Sequence, residues 1–319
     1  MLMKKQEYVS YMKVWAMIGV VLYHCLCGYS NIWGTDFSWQ EVTVWSNLAH
    51  ILVYFHMPTF VLMSAFLYAY LCDKQLYRKS ATFVLKKTKR IFIPYIIWAF
   101  LVCIILDCDF FYLFLGPSHT WYLLFLFEAF LSFHFINKIP NKSKYAVFTL
   151  LYALCFALSR NTDTPFLGMG YYVRYMPYFI VGYYGYHILK NKSVRYVDAQ
   201  MAGMGCLMLF LLAFMFFNNK LILTLLSLAV IFSFLIIFRQ KESVLPFKKY
   251  MLWLDKYTMG IYLIHHIIIQ EMNCSSFFHP YMSHYLLYPT LQFLASFGIS
   301  ILLTHILQKF KPGRISLGC

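Results

Sequence analysis

The sequence predicts an all-α integral membrane protein, a bundle of about ten transmembrane helices with both termini cytoplasmic. Three observations carry that expectation. Of the 319 residues, 61% are hydrophobic and only 12% charged, against roughly 45–50% and about 25% in soluble domains. The apolar residues run on for helical lengths of about 20 residues, without the roughly 10-residue alternation of a membrane barrel. Lys and Arg also fall on alternate sides of those runs, 23 of the 27 on one side and three on the other. That asymmetry is what the positive-inside rule expects of ten crossings.

The expected spans are 8–28, 46–71, 91–108, 120–136, 145–159, 175–189, 199–217, 221–238, 257–272 and 286–308. The first follows Lys4 and Lys5 with no small-residue cleavage site behind it, so it is read as a retained span, not a signal peptide. The second ends at the basic segment Lys74 to Arg90, which also opens the third. The fourth stops before Lys138 to Lys144, and the fifth, which like the ninth is short for a crossing, stops at Arg160. Arg174 and Lys190 bracket the sixth, and Arg195 precedes the seventh. Lys220 and Arg239 bound the eighth, Lys256 opens the ninth, and Lys309 to Arg314 close the tenth. Ten helices consume roughly 200 residues and leave about 119 for loops and tails. The expectation is therefore a single domain over 1–319 with no separate soluble one.

The net charge of +15 is split into short clusters between spans, which argues against a nucleic-acid surface. An aromatic content of 21% excludes a disordered chain. Nine cysteines form no CxxC pair and read as small buried hydrophobes, with no metal site expected. Trp33, Trp39 and Trp45 suit an outer loop at the membrane–water interface.

Ionisable groups at membrane depth are costly and mark a function or a partner. Lys13 and His24 stand 11 residues apart in the first span. That separation is three helical turns plus about 20°, so both face one side, about 16 Å apart along the axis. Taken singly, Lys13 reads as a snorkelling lysine and His24 as a hydrogen-bonded buried histidine. The second span holds His56 before Pro58, then Ser64 among small residues that favour close helix packing. The run Lys86-Lys87-Thr88-Lys89-Arg90 is a topology anchor, and also a place where a soluble polyanion would be caught. Trp121, Tyr122 and Glu128 follow on the fourth span, Arg174 near the sixth, and Tyr262-Leu263-Ile264-His265-His266 in the ninth.

These residues, in this order, resemble the membrane-bound acyltransferase 3 family. The stretches that carry the resemblance are Tyr11-Met12-Lys13 through His24, Phe55-His56-Met57-Pro58-Thr59-Phe60 through Ser64-Ala65-Phe66, and Lys87-Thr88-Lys89-Arg90 with Pro94-Tyr95. Trp121-Tyr122-Leu123, Arg174-Tyr175-Met176-Pro177 with Gly182-Tyr183, and Tyr262-Leu263-Ile264-His265 complete it. The chain departs from the pattern at Lys13 and Lys87, where the family favours Arg, and at Ala65, where it favours Gly. Lysine keeps the charge but lacks the planar fork for bidentate phosphate contact.

The resemblance implies an O-acyltransferase of a bacterial envelope polysaccharide or exopolysaccharide, multi-pass in the inner membrane. It implies acyl-CoA, by default acetyl-CoA, as co-substrate, no permanently bound cofactor, and a glycan acceptor, free or lipid-linked. Membrane lipid is the expected surrounding partner, and assembly as a homo-oligomer stays open. His24 is the expected catalytic base or acyl relay, with Glu128, His56 or His265 orienting it. Lys13, Lys87 and Arg90 are expected to hold the donor. Trp121, Tyr122, Arg174, Tyr262 and His265 are expected to line the acceptor pocket. A carrier or flippase for lipid-linked glycans, or a glycan polymerase, is the alternative, since such proteins also bury His and Lys among about ten spans.

Overall fold

The computed structural model describes residues 6–30, 32, 41–107, 109–140, 142–160, 168–191 and 194–319. Lys4, Lys5, Trp33, Trp39 and Lys192 lie outside the described residues, as does the side chain of Arg160. The helices are α1 (Glu7–Leu26), α2 (Thr43–Val53), α3 (His56–Asp73), α4 (Ser80–Lys87), α5 (Ile93–Ile105), α6 (Trp121–Ile136) and α7 (Ser143–Arg160). They continue with α8 (Met169–Asn191), α9 (Tyr196–Phe216), α10 (Lys220–Gln240), α11 (Lys248–Leu254), α12 (Thr258–Cys274), α13 (Leu287–Leu307) and α14 (Lys311–Ser316). Among the described residues there is no strand.

Helix occupies all ten expected windows, but among the described residues seven stretches are long and apolar enough to cross a membrane: Glu7–Tyr29, Thr43–Asp73, Ser80–Ile105, Phe110–Ile136, Tyr196–Phe216, Lys220–Gln240 and Leu287–Leu307. The other three differ for physical reasons. Ser143–Leu158 is short. α8 carries tyrosines, Arg174 and Pro177 within its length. α12 has 17 residues and buries both of its histidines, so its polar groups face protein instead of lipid.

The helices group into two compact units, one of Met1–Met63 with Gly185–Leu303, the other of Ser64–Tyr184 with Thr304–Cys319. In the first unit α1 is the hub, packing on α2, α10, α11 and α12. Its start is tied to the 242–255 segment: Lys248 pairs with Glu7 at 2.6 Å, and the Tyr11 hydroxyl donates to the Pro246 carbonyl at 3.1 Å. α9 and α10 form a hairpin whose turn is capped by Asn219, its Oδ1 accepting from the Leu221 and Ile222 amides. α2 and α3 are separated by a break at residues 54–55. Pro58 explains it: proline lacks the N–H that would meet the Tyr54 carbonyl, and its ring would clash there. The break leaves His56 at the first residue of α3 and packs Tyr54 and Phe55 against Phe210 of α9.

In the second unit α4 passes into α5 through a π-helical turn, Thr88–Phe92, just ahead of Pro94. Pro94 deprives the Arg90 carbonyl of its helical partner. Gly318 closes on that carbonyl, where a Cβ would stand 2.3 Å from the oxygen, and its φ of +71° suits glycine. Trp98 Nε1 donates to the Ser316 carbonyl at 2.9 Å, so α14 is seated on α5. His134 is enclosed between Tyr68 and Ser80 hydroxyls, each 3.2 Å away, and stacks on Phe83.

Candidate active site

The first unit assembles a row of aromatic and imidazole rings from three helices. Near the C-terminal end of α1, the His24 ring lies 4.5 Å from that of His266 and 5.2 Å from that of His265, both on α12. Tyr23 stands beside His24 at 5.0 Å and bridges to His56, its ring 4.9 Å away. Tyr262, also on α12, lies 6.2 Å from His265. His56, His265 and His266 are buried, while His24 and Tyr23 keep partial exposure. Four imidazoles thus converge in a membrane-spanning bundle, a costly arrangement that a purely structural core has no need of.

Two of these rings have their tautomer set by backbone. His265 Nδ1 is 2.8 Å from the Ile261 carbonyl and His56 Nδ1 is 2.5 Å from the Leu52 carbonyl. A carbonyl only accepts, so each Nδ1 carries a proton, and in the neutral ring Nε2 is then the accepting nitrogen. The Leu52 carbonyl also accepts from the Phe55 amide at 2.9 Å, so the His56 ring shares that oxygen with the turn that closes α2.

A cavity of about 280 Å³ leads up to His56, lined by Met12, Trp15, Ala16 and Gly19 of α1 and by Phe234 and Phe238 of α10. Its polar residues, His56 and Thr59, lie one turn apart on α3. Gly19 makes room for His56: a Cβ there would stand 3.3 Å from the His56 Cβ. The open space does not follow the face shared by Lys13 and His24. On that face Met17 and Val20 are fully packed. The cavity runs along α1 about 100° further round, as the position numbers require. Lys13 itself pairs with Asp255 at 3.8 Å.

The remaining predicted residues lie in the second unit. Lys87 turns inward, its ammonium 3.2 Å from the Phe130 ring centroid and 5.7 Å from both Phe83 and Tyr77. That is an aromatic cage for a cation. Arg90, Lys86 and Lys89 are exposed. Outside the spanning segments, burial pushes the Tyr77 hydroxyl above its ordinary value, with Arg90 pulling it back in part. Trp121 stacks on Tyr171 at 4.2 Å and on Tyr175 at 5.0 Å, and the exposed Arg174 guanidinium sits over Tyr175 at 5.4 Å. Gly116 allows this corner, since a Cβ there would stand 2.6 Å from Trp121 Cα. Tyr122 meets Ser64 at 3.4 Å. Glu128 is half-buried on α6, within electrostatic reach of Tyr95 and Tyr172.

Sequence reasoning did not single out Tyr23 or His266 as site residues. Their signal was weak, since an aromatic neighbour of His24 and the second of two adjacent histidines are read from spacing only when the facing helix is known. No group of three or more His, Cys, Asp and Glu side chains fit to hold a metal occurs among the described residues.

Neither a curated protein nor a solved structure matches this chain. The family model of the acyltransferase-3 group, described as an acyltransferase domain, matches residues 6–308, nearly the whole length. With its membrane-length apolar helices, the chain is a multi-pass membrane protein and belongs to the acyltransferase-3 family.

Proposed function

We propose that this membrane acyltransferase moves an acyl group, acetyl by default, from cytoplasmic acyl-CoA to a hydroxyl of an envelope or exopolysaccharide sugar in the inner membrane of a bacterium. The observation that carries the reading is the His24 ring flanked by His265 and His266, with His56 reaching a cavity from the other side of Tyr23.

On this reading the thin pantetheine arm of the donor occupies that cavity, whose uncharged lining suits a neutral chain. His24 takes the proton from the sugar hydroxyl as the oxygen adds to the thioester carbonyl. The C–S bond then breaks, and the departing thiolate recovers the proton from the imidazolium. In the relay version the imidazole nitrogen attacks first, the thiol leaves, and the hydroxyl then takes the acyl group from His24. His265 and His56, each held through Nδ1 on a backbone carbonyl, are the proposed groups that orient His24. Arg90, with exposed Lys86 and Lys89, is the proposed contact for the donor's phosphates. Lys87 contributes charge from within its cage, and Lys13 contributes through its pairing with Asp255. Trp121, Tyr122, Arg174 and Tyr262 are proposed for the acceptor, and Glu128 as a further acid–base group.

Membranes carrying the protein, supplied with radiolabelled acetyl-CoA and envelope glycans, test this. His24→Ala is expected to abolish labelling of glycan while expression and insertion persist. Full labelling by that variant would remove the mechanism. Surface glycan lost altogether in cells lacking the protein, instead of glycan lacking ester groups, would point to export or polymerisation.

A further inference from the structure

Beneath the end of the first unit that holds the C-terminus of α1 lies a second polar group, separate from the row of imidazoles. Asn273, near the end of α12, and Gln292, near the start of α13, are 5% and 1% exposed. Gln292 Nε2 donates to Asn273 Oδ1 at 2.5 Å, and the Tyr288 hydroxyl donates to the same oxygen at 3.3 Å. Among the described residues, Asn273 Nδ2 and Gln292 Oε1 then have no hydrogen-bonding partner. Reassigning the amides does not remove the problem. Turning one alone would set like atoms against each other. Turning both exchanges the roles and again leaves one N–H donor and one carbonyl acceptor over. A buried donor and a buried acceptor left side by side are costly, and a fold tolerates them where a ligand meets them.

The surroundings define that ligand. Tyr29 and Tyr288 are fully buried in the cluster above the pair, together with Met272 and Met282. The cluster is held down by the Tyr29 hydroxyl on the Met282 carbonyl and by Trp45 Nε1 on the Tyr285 carbonyl, both at 2.8 Å. Below it, Ser296, one turn on from Gln292, lies beside Cys25, the neighbour of His24. Asn273 also follows His266 by two turns of α12, which sets both on one face about 10 Å apart along the axis. The cluster's residues carry no charge. An open carboxamide N–H beside an open carboxamide C=O, next to tyrosine rings, matches a group that donates and accepts at adjacent atoms. Neighbouring hydroxyls of a neutral sugar do so.

We propose that Asn273 and Gln292 form a hydroxyl-binding subsite for a neutral sugar, the acceptor's, reached when the Tyr29 and Trp45 side chains release the Met282 and Tyr285 carbonyls. The assignment of that sugar as acceptor rests on the acyl-transfer reading; the subsite itself does not. Thermal unfolding of the full-length protein in detergent, followed by tryptophan fluorescence, tests it. The probes are acetyl-CoA and, one at a time, the methyl glycosides of glucose, galactose, mannose and rhamnose. At least one glycoside is expected to raise the wild-type midpoint, and Asn273→Leu and Gln292→Met to lose that shift while keeping the one from acetyl-CoA. A glycoside shift that survives in both variants would overturn the subsite, leaving a trapped water as the pair's occupant. So would a wild type that answers acetyl-CoA and none of the glycosides. Glycoside shifts without any response to acetyl-CoA, and without transfer, would instead sink the acyl-transfer reading and leave the subsite standing. Should either variant fail to fold, photolabelling of the wild type with diazirine-bearing versions of the same glycosides decides. Label is expected in peptides from residues 268–296, and label confined elsewhere would overturn the proposal.

Discussion

His24 and His266 meet ring against ring, 4.5 Å between centroids and nearly perpendicular, although 242 positions separate them in the chain. His265, beside them, has its Nδ1 committed to the Ile261 carbonyl. The two α12 histidines therefore have different tasks. His265 is tautomer-locked, whereas His266 offers an edge to the His24 ring. His24→Ala is expected to lower transfer by the full general-base factor, about 10²–10⁴-fold. His265→Gln removes the locked acceptor but keeps a polar group, and should shift the pH profile of transfer more than its maximum. Initial rates across pH in membranes check both. A His265→Gln profile superimposable on wild type would make that ring a packing element.

The cavity beside His56 predicts a second outcome. Ala16 is buried in its wall and faces the space, so Ala16→Leu inserts a branched side chain where the donor arm is proposed to lie. The expected result is a raised KM for acetyl-CoA with folding intact, because overpacking costs typically 1–3 kcal/mol only where the space is already filled. Ala213→Leu, in the packed Phe210–Leu223 contact of the same unit, is the control. It should destabilise without touching KM. An unchanged KM in Ala16→Leu would place the donor elsewhere.

Much of this was legible in the residues, and the limits have physical causes. Long apolar runs and alternating cation clusters foretold helix at all ten windows, since both follow from backbone satisfaction in lipid. The short ninth window, 257–272, already matches α12 (Thr258–Cys274) within two residues, and a helix wrapped in protein is not obliged to match the bilayer. His24, His56 and His265 stood out because imidazoles at that depth are costly. Tyr23 and His266 did not, because a ring contact between α1 and α12 is a long-range fact. Lys13 shared a face with His24, yet Met17 and Val20 fill that face and Asp255 takes the charge. Asn273 and Gln292 gave no sign at all, being ordinary near helix ends until the helices pack.

The Lys13–Asp255 pair predicts coupling. Both side chains are mostly shielded, so removing one leaves the other as an ill-compensated charge. Lys13→Ala and Asp255→Ala are each expected to lower thermal stability, and the double variant to lose less than the sum of the two. A double-mutant cycle on the unfolding midpoint measures this. Strict additivity would release Lys13 from Asp255 and return it to direct donor binding, visible as a higher KM for acetyl-CoA in Lys13→Ala alone.

Lys87 and Arg90 occupy one basic turn but should fail differently. Phe130 supplies the face beneath the Lys87 ammonium, so Phe130→Ala removes both a buried ring and the cage. A loss of about 3–5 kcal/mol is expected from the cavity alone. Lys87→Met keeps the volume and deletes the charge, and should cost about 0.5–2 kcal/mol, the size of a cation–π contact. Arg90→Ala removes an exposed side chain and should leave stability within about 0.5 kcal/mol. Its effect belongs in the KM for acetyl-CoA, which should rise as ionic strength rises in the wild type too, since exposed charge contacts are screened by salt. Unfolding midpoints and donor KM for the three variants separate the roles. If Lys87→Met raised KM as much as Arg90→Ala at unchanged stability, the caged lysine would be a phosphate ligand after all.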